Sequence, residues 1–450
     1  MSDVERFIAE RFALIEEGIA HERTLSSFAA LVDDANRALI SPVSDATGSP
    51  LQAMATLLKL SNLAIGKYQY QRRHPRLLAH PFGLILECAN ACQLTCPGCI
   101  HGGRSDIPPG APWEKTLLGN SLADTIIDRH GPFALSTRFF NWGEPLLNPR
   151  TPEYIRYARS YMMRTSVSTN LSLRFDERAL VASGLDYLIL SIDGATQRTY
   201  GRYRRGGDLS LVLENVKRLV RAKRALGTAT PHLVWQYLLF DHTLEEVELA
   251  TNLASNLGVN EINFARPYDV SATDPGITIP ASLPCNRVLF SYDGQQIALA
   301  AQEMMTALNG KIAESYAIPW TRRVDNASFD VPSDSAQGGC QWTYKNIVYS
   351  AEGDVYPCCR ANYGEQGTIF APKGDIDANA DPFNSSRYRD VRARFATGAS
   401  PPPLDETCCD RCDHVDSLPN VNNQQIPAYF QIVDTARILP QNVIAMLAQW

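Results

Sequence analysis

Segments typical of strands and helices alternate between residues 81 and 268. Each predicted strand is a short apolar run, and each predicted helix carries apolar residues three and four positions apart. The predicted strands are residues 83–87, 134–141, 165–169, 187–191, 233–240 and 261–265. The predicted helices are residues 121–129, 151–162, 175–183 and 209–226, and one that a capping box of Thr243 and Glu246 opens and Gly258 closes. This alternation predicts a parallel sheet curved into a partial (β/α)6 barrel, in which ligands bind at the carboxyl ends of the strands.

Four further segments flank this barrel. Residues 1–80 are expected to form a helical extension, because residues 4–17, 26–39 and 50–73 show helical spacing of apolar residues. Residues 269–338 form a connector without an interpretable motif, residues 339–414 a second unit that carries cysteines, and residues 415–450 a closing helical segment. The predicted fold class is therefore α/β, with a helical extension before the barrel and a small α+β domain after it.

Composition limits the function classes. Of the 450 residues, 45% are apolar and 20% charged, which is typical of a globular protein of two or three units. The formal charge of −6 gives no general attraction to nucleic acid or to an anionic membrane. We find neither the basic and apolar regions of a signal peptide nor an apolar run of about 18 residues that could span a bilayer. A cytoplasmic location is therefore expected, without a nucleic-acid or membrane partner.

Three of the eleven cysteines directly follow the first predicted strand. Cys92, Cys96 and Cys99 form a C-x3-C-x2-C motif. In a chain without a signal peptide, clustered cysteines indicate metal ligation rather than disulfides. Three thiolates can hold three irons of a [4Fe–4S] cluster and leave the fourth iron open, whereas electron-transfer ferredoxins use four cysteines. The alternatives are three buried thiols or a zinc site, although zinc sites favour paired cysteines with a fourth ligand nearby.

The end of the second predicted strand carries Asn141-Trp142-Gly143-Glu144-Pro145. Together with the cysteine triplet, it resembles the radical S-adenosylmethionine (SAM) superfamily. The resemblance implies a [4Fe–4S] cluster whose open iron binds SAM, reductive cleavage of SAM to a 5′-deoxyadenosyl radical, and a low-potential electron donor such as flavodoxin or ferredoxin. Glu144 occupies the glutamate position of the family's G-G-E-P motif, where it accepts a hydrogen bond from the SAM amino group, and Trp142 replaces the first glycine.

The same resemblance implies further cofactor contacts at the strand ends. Arg204 and Arg205 match a basic pair that reaches the SAM carboxylate in relatives; a solvated arginine is the alternative for either. Gly98 replaces a usual aromatic residue, so His101 or another ring would take its place beside the adenine, unless His101 is an ordinary loop histidine. The remaining implied positions are Asn141, Ser168, Asn170, Ser191, Asp193, Gln236 and the backbone of Phe264 and Ala265. For the strand-end Ser, Asn and Asp residues, the alternative is a turn, which their side chains favour.

A second group of cysteines lies in residues 339–414. Cys340, Cys358, Cys409 and Cys412 form a C-x17-C pattern followed by C-x2-C, which resembles the Twitch domain, a shortened SPASM domain. The resemblance implies one auxiliary [4Fe–4S] cluster on four cysteines, and a four-cysteine zinc site is the alternative. Cys359 and Cys408 could replace two of these ligands, whereas buried thiols are expected for Cys88 and Cys285.

The substrate is expected to be a small molecule. The single auxiliary site resembles aminocyclitol dehydrogenases and aminoglycoside dehydratases of antibiotic biosynthesis, which implies hydrogen abstraction from a carbinol carbon of an amino sugar, leading to dehydration or two-electron oxidation. The alternatives are radical modification of a ribosomally made peptide and a zinc-stabilised binding protein without catalysis. Polar substrate contacts are expected among Asp106, Glu261, Arg266, Asp269 and Glu352, and no residue is assigned as a general base.

Overall fold

A nine-stranded sheet forms the centre of the protein. A computed structural model of the chain describes residues 79–102, 115–267, 274–280, 287–290, 340–359, 367–375, 381–397 and 407–409, with residues 59, 62, 66, 69, 70, 73–77, 361 and 412. Its strands are β1 (Gly83–Leu86), β2 (Ser136–Arg138), β3 (Arg164–Thr169), β4 (Tyr187–Ser191), β5 (His232–Leu238), β6 (Glu261–Ala265), β7 (Arg287–Leu289), β8 (Asn346–Tyr349) and β9 (Val355–Tyr356). Their order in the sheet is β7-β6-β5-β4-β3-β2-β1-β8-β9.

Strands β1 to β6 are neighbours in chain order and all run parallel. This arrangement confirms the predicted partial (β/α)6 barrel. Because the strands are parallel, the loops that follow their carboxyl ends meet at one edge of the sheet. The cysteine triplet follows β1 and the Asn141–Pro145 segment follows β2, so both reach that edge.

Eight helices are described. They are α1 (Asn120–His130), α2 (Thr151–Ser160), α3 (Glu177–Ala182), α4 (Gln197–Tyr203), α5 (Leu209–Leu226), α6 (Val247–Leu257), α7 (Trp342–Lys345) and α8 (Ser386–Thr397). Local signals define their ends. The Asp208 carboxylate caps α5 by accepting from the amides of Ser210 and Leu211, and Gly227 ends it at a φ of 62°. No helix among the described residues is long and apolar enough to cross a membrane.

The β8–β9 hairpin, which lies in the second cysteine-bearing unit, extends the barrel sheet. Strand β8 runs parallel to β1, with Gly83 opposite Asn346 and Leu86 opposite Tyr349. Beyond the paired residues, the Glu87 amide donates to the Tyr349 carbonyl at 3.0 Å. Backbone hydrogen bonds therefore hold this unit beside the strand from which the cysteine triplet leaves.

The predicted capping box at Thr243 and Glu246 is wrong. Helix α6 starts at Val247, after a 3-10 segment, Asp241–Glu246, although Gly258 ends it as predicted. Instead of capping, Glu246 accepts hydrogen bonds from the Ala195 amide at 2.7 Å and from the hydroxyl groups of Thr196 and Thr199. The physical reason is that the loop after β4 supplies donors from about 50 residues away, which local spacing does not reveal.

Several predictions about the flanking segments concern residues outside the described ones. The first two predicted helices, residues 4–17 and 26–39, lie there, as do nearly all of the connector and the segment 415–450. In the third predicted helix, residues 50–73, the described residues 59, 62, 66, 69 and 70 are helical.

Candidate metal and cofactor site

The three cysteines of the triplet lie in the loop after β1. Cys96 is buried, Cys92 and Cys99 are half-buried, and none of the ten described cysteines forms a disulfide. Burial raises the pKa of Cys92 to about 12, and negative charges on Glu144, Cys96 and Cys99 contribute to this rise. That mutual repulsion shows that the three thiols lie close together. Such thiols become thiolates when a cation compensates their charge, as bound iron does.

The protein directs three hydrogen-bond donors at the sulfur atoms of this loop. The Leu94 amide lies 3.4 Å from Cys92 Sγ, and Asn170 Nδ2 lies 3.6 Å from the same sulfur. Arg204 Nη1 lies 4.0 Å from Cys96 Sγ. Donors around thiolate ligands are the outer contacts that set the potential of iron–sulfur clusters. The donor set therefore fits an anionic cluster.

A site for a single metal ion differs from a site for a cluster, because its ligands must all reach one point. Within the described ranges, no three His, Cys, Asp or Glu side chains converge on the position of one metal ion. In a [4Fe–4S] cluster, each cysteine binds a different iron, so the sulfurs surround the cluster without sharing a metal.

Glu144 connects the loop after β2 to the end of β3. Its side chain is buried, with the residue only 2% exposed. Oε1 accepts from Thr169 Oγ1 at 2.7 Å and from the Leu146 amide at 3.1 Å, and Oε2 accepts from the Asn170 amide at 2.8 Å. Burial raises the pKa of Glu144 to about 7 against these hydrogen bonds. Of about four acceptor positions on a carboxylate, three are used and one remains for a ligand.

Close backbone contacts hold the segment around Glu144 against the cysteine loop. The Glu144 amide donates to the Ala91 carbonyl at 2.7 Å. A Cβ on Gly143 would lie 1.8 Å from the Ala89 carbonyl oxygen, so this position admits only glycine. Glycine at the second position of the motif thus allows the two loops to touch.

Asp193 and Arg204 form a buried ion pair behind Cys96. Arg204 Nε donates to Asp193 Oδ2 at 2.6 Å, and Asp193 Oδ1 accepts from the Leu238 amide at 2.7 Å. Burial raises the pKa of Asp193, and the Arg204 charge opposes that rise. Burial alone would lower the pKa of Arg204, but Asp193 and Cys96 hold it well above its ordinary value. The cationic head of Arg204 thus lies between a carboxylate and a sulfur of the triplet.

The other predicted cofactor residues lie along the same edge with differing partners. Ser168 Oγ and Ser191 Oγ are 3.1 Å apart, at the ends of β3 and β4. The Gln236 carbonyl accepts from the Ile192 amide at 3.1 Å. Arg205 forms an ion pair with Asp274. Asn141 is half-buried in the loop after β2. Arg204 therefore faces the triplet, whereas its neighbour Arg205 binds a different loop.

The residues predicted to lie beside the adenine are found on β6 and on the 3-10 turn after Cys99. Phe264 is buried in β6 with its ring 5.4 Å from that of Tyr237, and Ala265 is the last residue of the strand. His101 is half-buried in the 3-10 turn after Cys99 and hydrogen-bonds the Trp142 backbone. Burial lowers the pKa of His101, so its ring is neutral at pH 7.

The second group of cysteines is brought together by the hairpin and the segment after α8. The hydrogen bond that the Cys409 thiol makes to Cys408 raises the pKa of Cys409 most, and after burial the negative charges on Cys408, Cys358 and Cys340 raise it as well. Cys412 and Cys408 likewise raise the pKa of Cys340, after burial. Cys359 and Cys408 pack against the same apolar cluster as Cys358. The structure thus places Cys359 and Cys408 among the four predicted ligands.

The Trp142 side chain packs beside the second group of cysteines. Its ring packs on the apolar cluster that includes Cys340, as do Ile100 and Cys358. Two residues later, Glu144 contacts Asn170, whose amide group reaches Cys92. The tryptophan that replaces the family's glycine therefore packs beside the second group of cysteines, and the carboxylate two residues later points toward the triplet.

Three of the five expected substrate contacts are described, and one of these three lies away from the barrel mouth. Glu261 is the first residue of β6, at the opposite end of the sheet, where its Oε2 lies 3.0 Å from His232 Nε2; its prediction as a mouth residue is wrong because it marks the start of the strand. Arg266 is exposed. Glu352 lies in the turn between β8 and β9. Asp106, Asp269 and Cys285 lie outside the described residues, and Cys88 is buried as predicted.

Sequence reasoning missed Glu87, Asn90 and Thr169. Glu87 Oε1 accepts from the amides of Trp142 and Gly143. Asn90 donates to Glu352, and Thr169 donates to Glu144. One signal was present. An acidic residue directly after the apolar run of β1 needs a partner when that strand is buried on both faces.

Comparisons with known proteins identify one matching family. Residues 86–259 match the family model of the radical SAM superfamily. The chain is 28% identical over 187 residues to the AdoMet-dependent heme synthase of Methanosarcina barkeri, a match that covers 41% of this chain and 48% of that protein. It is 21% identical over 351 residues to the tungsten-containing aldehyde ferredoxin oxidoreductase cofactor-modifying protein of Pyrococcus furiosus, covering 74% of this chain and 89% of the relative.

Solved structures with a similar arrangement include two radical SAM enzymes. SuiB of Streptococcus suis matches with a TM-score of 0.47 at 14% identity, covering 82% of this chain and 79% of SuiB. BtrN, in complex with AdoMet and 2-DOIA, matches with a TM-score of 0.38 at 13% identity, covering 74% of this chain and 93% of BtrN. The match to the radical SAM superfamily thus covers residues 86–259, which include the cysteine triplet and strands β2 to β5.

Proposed function

We propose that the loop after β1 binds the [4Fe–4S] cluster through Cys92, Cys96 and Cys99, and that SAM binds between this loop and the ends of β2 to β4. The observation that carries the proposal is the connected set of contacts from Cys92 Sγ through Asn170 to Glu144. When bound there, a cluster with an open iron would supply the electron for the reductive cleavage of SAM to a 5′-deoxyadenosyl radical.

The chain's own residues hold and orient these groups. Glu144 offers its remaining acceptor position to the SAM amino group, because a charge-assisted hydrogen bond fixes orientation well. Arg204 supplies positive charge beside Cys96, with Asp193 holding its guanidinium in place. The hydroxyl groups of Ser168 and Ser191 are assigned to the ribose, with Asn141 and Gln236 beside them.

The second group of cysteines is proposed to bind one auxiliary [4Fe–4S] cluster through Cys340, Cys358, Cys409 and Cys412. The mutual effects of these thiols on one another's pKa support the grouping. The substrate is proposed to be a small polyhydroxylated or amino-sugar molecule that loses hydrogen from a carbinol carbon. This proposal rests on the resemblance of the second cysteine pattern to the Twitch domain. An electron donor such as flavodoxin or ferredoxin would supply the reducing electron.

The first experiment measures iron, sulfide and zinc in anaerobically reconstituted protein. We expect about eight irons per chain, the content of two cubes. About four irons with one zinc would keep the SAM site and make the second site a structural zinc site. Zinc alone would contradict the proposed function.

The second experiment measures formation of 5′-deoxyadenosine from SAM with dithionite. We expect Cys96→Ala to abolish it, because the cluster loses a ligand. Cys88→Ala is the matched control, since Cys88 is a buried thiol four residues before Cys92 with no assigned ligand role. With an active wild type, deuterium transfer from labelled amino sugars into 5′-deoxyadenosine tests the substrate class, and transfer from a labelled precursor peptide alone would favour peptide modification.

A further inference from the structure

Glu87 holds the backbone of the loop that carries Glu144. It follows β1, is 0% exposed, and accepts through Oε1 from the amides of Trp142 and Gly143, each at 2.8 Å. The next amide, that of Glu144, donates to the Ala91 carbonyl. Three consecutive amides after β2 are thus bonded to the segment between β1 and the triplet, and two of them share one oxygen of Glu87.

The second oxygen of Glu87 is unusual. Oε2 is buried and has no hydrogen-bond partner among the described residues. Burial raises the pKa of Glu87 to about 8, the two amides oppose this rise, and the nearby Glu352 charge adds to it. At neutral pH the side chain is therefore a neutral acid that accepts through one oxygen. A buried polar atom without a partner opposes folding, so stability alone does not explain this residue.

We propose that Glu87 is a positioning residue for SAM: by accepting from Trp142 and Gly143, it sets the position of Glu144 relative to the cysteine loop. The inference rests on the proposed function, because it concerns the residue assigned to the SAM amino group. Loss of the Glu87 acceptor would leave the two partly buried amides of Trp142 and Gly143 without this partner and release the Trp142–Glu144 segment. Glutamine reproduces a neutral acid in size and keeps the acceptor, so it should preserve the arrangement.

The test compares Glu87→Gln, Glu87→Ala and Glu87→Asp in anaerobically reconstituted protein, with SAM as the probe. Iron content reports cluster assembly, and the SAM-induced change in the electron paramagnetic resonance spectrum of the reduced cluster reports binding. The rate of 5′-deoxyadenosine formation against SAM concentration separates KM from kcat. We expect the KM for SAM of Glu87→Gln to stay within about twofold of the wild-type value. We expect Glu87→Ala to keep its iron but to need about 10–100-fold more SAM, which is the size of the loss when outer contacts of metal sites are removed.

Two results would overturn the inference. One is wild-type SAM binding in Glu87→Ala with full iron content, and the other is equal loss in Glu87→Gln and Glu87→Ala. If Glu87→Ala takes up no iron, Glu87→Asp decides, because it keeps the acid but is one methylene too short for both amides. Wild-type SAM affinity in that variant contradicts the inference. A wild-type protein without any SAM-induced spectral change would refute the proposed function itself, whereas a responsive wild type and an equally responsive alanine variant refute only the role of Glu87.

Discussion

Asn90 Nδ2 donates to Glu352 Oε1 at 3.2 Å and joins the loop that leaves β1 to the turn between β8 and β9. The hydroxyl group of Thr116 donates to the same oxygen at 3.2 Å, and its amide donates to Asn90 Oδ1 at 2.5 Å. The segment that carries the cysteine triplet and the unit that carries the second cysteine group therefore share a polar joint. This joint adds side-chain contacts to the backbone pairing of β1 with β8.

Replacing Glu352 with alanine should weaken this joint. Asn90 is only 2% exposed, so its amide group would lose its acceptor without gaining full access to water. We expect the free energy of unfolding to fall by about 1–3 kcal/mol, measured by anaerobic urea titration of the cluster-loaded protein. Glu352→Gln keeps an acceptor and should lose less than half as much. Equal unfolding midpoints for Glu352→Ala and the wild type would contradict the joint.

Gly143→Ala should disrupt the site although it adds only one methyl group. The new Cβ would lie 1.8 Å from the Ala89 carbonyl oxygen, which belongs to the backbone and cannot rotate away. We expect the loop to move and dithionite-driven formation of 5′-deoxyadenosine to fall at least about 10-fold. Gly119→Ala is the control, because a Cβ there meets no atom within 4 Å. Comparable activity of the two variants would show that the contact between the loops is dispensable.

The sequence predicted strands β1 to β6, several of which contain contiguous apolar runs such as residues 83–86, but it did not predict β7, β8 or β9. The triplet and Glu144 could be proposed as site residues because their spacing is local. The sequence could not predict the Asn90–Glu352 joint, whose members are 262 residues apart and meet through the pairing of β1 with β8. Nor could it distinguish Arg204 from Arg205, since their directions depend on how the chain leaves α4. The role of Glu87 depends on a neighbouring loop that no spacing rule connects to it.

Glu87 should make stability depend on pH. Its folded pKa of about 8 lies above the ordinary value of 4.5, so the folded chain holds a proton that the unfolded chain has lost. Stability should therefore fall as pH rises from about 4.5 to about 8, by about 2 kcal/mol between pH 6 and pH 8. The titratable groups that face Glu87 are Glu352, Cys88 and Tyr356.

The measurement is the urea midpoint of wild type and Glu87→Gln at the two pH values. Glutamine does not ionise, so the variant should lose less stability than the wild type over this interval. Glu248→Gln at an exposed position is the control and should follow the wild type. An unchanged pH dependence in Glu87→Gln would show that Glu87 does not hold a proton in the folded state.

Cys409→Ala should separate the two cysteine groups in function. Cys409 interacts with Cys408, Cys358 and Cys340 of the second group, so its loss should lower iron from about eight to about four per chain. SAM cleavage should continue without coupled product formation, because the triplet keeps its ligands. Cys359→Ala is the matched neighbour and should keep all of the iron. Both thiols lie in the same group, so iron content decides which of them is a ligand. Loss of iron in Cys359→Ala but not in Cys409→Ala would show that Cys359 is the ligand and would contradict the assignment of Cys409.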